Sequence, residues 1–99
     1  MEEIRVNATP KVKLVVDDKV YRLIGMNVGA MEKMQARQKE LKEMEKSGEI
    51  DLGILHETFD IICACDLDGR LDRDVLRSLP IADFNRLIKG LVDSSKKNP

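Results

Sequence analysis

Aromatic side chains are almost missing from this chain. Tyr21, Phe59 and Phe84 are the only ones, and there is no tryptophan. A core built here must be aliphatic, from Leu, Ile, Val and Met. At about 25 cal/mol per Å² of apolar burial it leaves a narrow margin that partner surfaces are expected to widen. A basic stripe with interleaved aromatics is also lacking, which removes the stacking platform that single-stranded nucleic acid requires. Charge of one sign is lacking too: 17 basic and 18 acidic side chains leave a net charge of −1. Without a one-signed field, long-range capture of nucleic acid is not expected. No apolar run approaches the ~18 residues of a membrane span. The opening segment, MEEIRVNATP, lacks the basic-then-apolar order of a signal peptide.

Cysteine and histidine are scarce. Cys63 and Cys65 are the only thiols and His56 the only imidazole. On a helix, Cys-x-Cys places its side chains about 200° apart, so the two cannot join without breaking it. Free thiols in a reducing cytoplasm follow, and a zinc site, which needs about four ligands, does not. His56 has no Ser, Cys or second His to form a catalytic set. Its one local partner is Asp60, a turn away, read as a helix-surface contact. A glycine-rich phosphate loop is absent. The expectation is a non-enzyme with no cofactor.

What remains is 42 % hydrophobic and 35 % charged over 99 residues, enough for one small domain. Residues 1–10 read as a loose segment, with a short strand at Ile4–Val6. Residues 11–24 read as a β-hairpin. Val12, Leu14 and Val16 alternate with Lys11, Lys13 and Val15, Asp17-Asp18-Lys19 turns, and Val20 to Ile24 alternate again. The turn has no glycine, so a two-residue primed turn is not assured. A lone hairpin is marginal, so it must lie on the helices or on another chain, and its outer edge is a candidate pairing surface.

Residues 27–94 read as a helical body of about four helices, and 95–99 as a frayed tail. Asn27 caps the first helix, Ala30 to Lys46, and Gly48 stops it. Its apolar stripe is thin: Met31, Met34, Leu41 and Met44, interrupted at Gln38. Either it rests on the core by this seam, or the methionines meet a partner or a second copy of the chain. Asp51 caps a helix over Leu52 to Ala64, whose Leu52, Leu55, Phe59 and Ile62 mark it as the most buried. A short helix over Asp72 to Leu79 ends at Pro80, and the last runs from Ile81 to Ser94 with a strong apolar face. The predicted class is therefore α+β, mostly α.

One stretch has the look of chemistry. With Gly69 at the bend of a calcium loop, Asp66, Asp68 and Asp72 fall at ligand positions. Ala64 and Val75, however, stand where the first and the closing carboxylates belong. Calcium needs about six to eight oxygens, and this loop offers three carboxylates and the Arg70 carbonyl. The same residues serve equally as a turn, with Gly69 at positive φ, Asp72 capping the next helix and Leu71 pointing into the core. A degenerate calcium-binding regulatory module is the alternative reading on Asp66, Asp68 and Asp72. A helical transcriptional or toxin–antitoxin regulator is a further one, which the balanced charge disfavours.

Element order, length and the stretches VKLVVDDKVYRL, LGILHETFDIICA and LRSLPIADFNRLIKGLV give the chain a likeness over about Val12 to Val92. It resembles the tail assembly chaperones of long-tailed bacteriophages and their prophage remnants. The resemblance implies a small helical protein of the bacterial cytoplasm without catalytic residues, an adaptor that binds the tape-measure protein and recruits tail-tube subunits. It also implies a second, frameshifted length, for which Ser95-Lys96-Lys97-Asn98 suits an A-rich slippery run. It carries over no fixed functional residues. The candidate contacts are Met31, Met34, Leu41 and Met44 on the charged helix and Val12, Leu14 and Val16 on the hairpin.

Overall fold

In a computed structural model of the chain, Glu3 and residues 10–96 are described, and the Ile4–Val6 strand lies outside them. Strands β1 (Pro10–Val16) and β2 (Lys19–Ile24) form an antiparallel hairpin, followed by helices α1 (Val28–Ser47), α2 (Leu52–Ala64), α3 (Arg73–Arg77) and α4 (Ile81–Lys96). The α+β, mostly helical class is as predicted.

The hairpin turn is tighter than the sequence suggests. Val16 pairs with Lys19, so only Asp17 and Asp18 lie in the loop, and Lys19 already belongs to β2. Asp17 and Asp18 take φ of 47° and 67°. Aspartate tolerates this left-handed region better than most residues. The primed turn therefore forms without glycine because its twist matches the strands. Val12 opposes Leu23 and Leu14 opposes Tyr21. Tyr21 and Leu23 are buried, while Val12, Leu14 and Val16 pack against the same core. Pro10 belongs to β1, one residue earlier than predicted, with a bulge between it and Val12.

Three helices begin at the predicted caps and α1 stops at the predicted glycine, whereas α1 starts at Val28, two residues earlier than predicted, and α3 is shorter than the predicted Asp72 to Leu79. The Asn27 side chain accepts from Ala30 N, Asp51 from Ile54 N and Asp72 from Val75 N, and Gly48 stops α1 at φ 77°. On α1, Met34, Leu41 and Met44 are buried against α2 and α4. Asn85 of α4 donates its amide to Leu41 O at 3.3 Å and to Glu45 at 2.8 Å. Arg37 bridges Glu40 on its own helix and Glu57 on α2, at 3.0 and 3.3 Å. The faces of α2 and α4 meet at Phe59 and Phe84, edge to face with centroids 5.3 Å apart.

The predicted frayed tail starts too early. Ser95 and Lys96 extend α4 beyond the predicted end at Ser94. Ser95 Oγ accepts from Met26 N at 2.8 Å and donates to Leu91 O at 2.7 Å. The end of α4 is thus fastened to the connector between β2 and α1, an interaction across the chain that no local pattern signals.

Candidate protein-binding groove

The aspartate-rich turn holds the candidate metal ligands Asp66, Asp68 and Asp72. Asp66 is buried, and its carboxylate accepts from the amides of Asp68, Arg70 and Leu71. Both its oxygens are spent on the turn itself. Asp68 faces away and takes a bidentate contact from Arg22 of β2, at 2.7 and 3.2 Å. That guanidinium holds the Asp68 carboxyl below the usual carboxylate range. Asp72 is committed to its cap. The three aspartates do not converge, and the described residues contain no group of three or more His, Cys, Asp or Glu arranged to hold a metal ion.

The turn fastens the hairpin to the body. Ile24 N donates to Cys65 O at 2.8 Å and Leu67 N to Arg22 O at 2.9 Å, around a bridge between Leu23 and Asp66. Arg70 donates to Val20 O at 2.7 Å and lies over the Tyr21 ring. The outer edge of β2 is therefore closed by the chain itself. Among the described residues β1 pairs only with β2.

The sequence-predicted contact residues are largely interior. Met34, Leu41 and Met44 are at most 5 % exposed, so the methionine seam belongs to the core and cannot face a partner in this conformation. Met31, Val12, Leu14 and Val16 are half-buried and packed against the same core. The physical reason is geometric: α4 lies against both α1 and β1 and covers the two faces together.

Cys63 and Cys65 are both free. Burial pushes the Cys65 thiol up to about 11, and it donates to Ile61 O. Burial raises Cys63 as well. Both therefore stay protonated near neutral pH and are poor nucleophiles. Asp60 does not serve His56. It accepts two bonds of 2.8 Å from Arg73, which hold its carboxyl low.

The open apolar feature lies elsewhere, between α2, α3 and the start of α4. It is a groove of about 460 Å³ lined by Ile50, Leu52, Leu55, His56, Phe59, Leu76, Arg77, Leu79, Ile81 and Phe84. Phe59, Leu76 and Phe84 are buried and make its floor. Leu55, Leu79 and Ile81 are half-buried walls. Ile50 and Leu52 form the lip, 50 % and 64 % exposed.

Its origin is local. The five-residue α3 ends at Ser78, and Pro80 restarts the chain as α4. That leaves no side chain to fill the space beside the first turns of α2. Leu52 was expected on the buried face of α2, but it is exposed, and contact with the core begins at Ile54 and Leu55. The signal that points to the lip is a staple pattern. Ile50 precedes the cap Asp51 and Leu55 follows it by four, the positions where apolar side chains meet at a helix start. His56 stands at the groove with its ring tilted against Phe59, centroids 6.3 Å apart.

Comparison with protein-family models, curated proteins and solved structures finds no match to this chain. No helix among the described residues is long and apolar enough to cross a membrane.

Proposed function

We propose that this protein is a non-enzymatic adaptor in phage tail assembly. In this reading it works in the bacterial cytoplasm and binds the tape-measure protein and tail-tube subunits, as the resemblance implies. A helical segment of the tape-measure protein lays its apolar face in the groove between α2, α3 and α4. The observation that carries the binding half of this reading is the groove itself: a buried aromatic and leucine floor with a lip of exposed Ile50 and Leu52. Grooves of this kind take amphipathic helices, with large apolar side chains as anchors.

The lip residues make a clean test, because both are exposed and their replacement removes little internal packing. The doubly substituted Ile50→Glu/Leu52→Glu protein is expected to lose at least tenfold in affinity for the tape-measure protein from the same gene cluster, measured by co-purification and calorimetry. Its helical content should not change. Undiminished binding by that variant sinks the groove as the site. A tape-measure protein that fails to bind the unsubstituted chain sinks the adaptor reading.

A further inference from the structure

The ridge made by Ile50 and Leu52 has a second side. A shallow cleft lies there, between the last turns of α1 and the start of α2, lined by Glu40, Glu43, Glu49 and Asp51 with Met44, Ser47 and Ile54. No lysine or arginine lines it. Arg37 ion-pairs with Glu40 at 3.0 Å. Asp51 accepts from Ile54 N at 3.2 Å. Among the described residues, Glu43 and Glu49 have no ion-pair partner. The carbonyl end of α1 adds to the negative potential. On the other side, the groove carries Arg77, which is ion-paired with Asp74 at 3.2 Å and so offers little opposing field. Apolar groove and acidic cleft thus share one ridge, and the charged side chains that line the cleft are all acidic, with Lys46 of the last turn of α1 outside the lining.

We infer that groove and cleft together form a docking surface for a basic amphipathic helix of a protein partner. The inference rests on the groove reading and adds the partner's charge. The helix lays its apolar stripe between α2, α3 and α4, and its lysine or arginine side chains reach over Ile50 and Leu52 to the carboxylates. Apolar burial supplies most of the affinity. The carboxylates select among helices of equal hydrophobicity, because an acidic helix meets like charge at the same ridge.

Two synthetic helical peptides separate these contributions. They carry the same apolar stripe, and the polar face of one is lysine-rich and of the other glutamate-rich. Binding is measured by fluorescence anisotropy at low and at raised salt. The lysine peptide is expected to bind about fivefold tighter at low salt, a preference that shrinks at raised salt, as exposed charges do. Glu43→Gln/Glu49→Gln should erase most of the preference while retaining binding of both peptides, and Ile50→Glu/Leu52→Glu should abolish both. Equal binding of the two peptides, lost on the lip substitution, overturns the charge inference and leaves the groove reading standing. Binding of neither peptide overturns both. A concentration-dependent dimer in sedimentation that the lip substitution dissolves, with no peptide preference, assigns the surface to a second copy of the chain and overturns the inference as well.

Discussion

Asp66 shows how much one side chain decides here. It is buried, yet it lies in a sequence that reads as a solvated acidic turn. Its carboxylate gathers the amides of Asp68, Arg70 and Leu71 and so sets the path of the turn around Gly69, which takes φ of 68°. Truncation leaves the buried Leu71 amide unsatisfied, which costs about 1–3 kcal/mol, while water can reach the half-buried amides of Asp68 and Arg70. Asp66→Ala is therefore expected to cost about 1–3 kcal/mol in urea unfolding, with the Arg70 and Leu71 amides losing exchange protection. Asp18 makes the opposite case. It takes a left-handed conformation that glycine adopts without strain. Asp18→Gly should stabilise the chain by about 0.5–1 kcal/mol, read as a rise in melting temperature, since Asp-Gly is the turn this hairpin geometry prefers. Both residues could be named from the sequence as turn formers. Their roles could not be ranked there, because burial of Asp66 depends on β2 passing alongside it.

Among the elements, α1 illustrates an ambiguity that periodicity cannot remove. Its methionine stripe marks a contacting face but not what it contacts. In the fold that face is taken by α2 and α4, with Met34 fully buried. Met34→Ala is expected to cost about 2–4 kcal/mol of stability by chemical denaturation, the usual range for a buried side chain that leaves a cavity. An exposed interface methionine would cost far less. Between the hairpin and the turn, the Arg22–Asp68 pair is exposed and small in energy, but its pH dependence is readable. The folded-state pKa of Asp68 is lowered, chiefly by its hydrogen bond from Arg22. Its contribution is therefore present above the unfolded carboxylate value of about 3.9 and is lost as pH falls through the folded one. Asp68→Asn should melt below the parent at neutral pH, and the gap should narrow as the pH drops below about 4.

For the molecule as a whole, surface and core are nearly separate in what they tolerate. The core joins the hairpin and all the helices through one apolar cluster, whereas Ile50 and Leu52 stand outside it. Ile50→Glu/Leu52→Glu should consequently shift unfolding stability by no more than about 0.5 kcal/mol, the range of ordinary surface substitutions, while removing the groove's apolar lip. Thermal unfolding checks this beside the binding measurement. Stability and binding would move together only if the lip were part of the core.

The hairpin, the N-caps of α1, α2 and α3, the glycine stop of α1 and the restart at Pro80 were legible in the amino-acid sequence. Each rests on local chemistry: alternation, side-chain caps, a glycine stop, a proline restart. Tertiary structure alone decided which apolar faces stayed open. The methionine seam and the inner face of the hairpin are closed because α4 lies across both. The groove is open because five residues of α3 cannot span the gap that α2 and α4 leave at their first turns. Local pattern specifies that a face is apolar. Only packing, which sums contacts from distant parts of the chain, specifies whether anything is left to cover it.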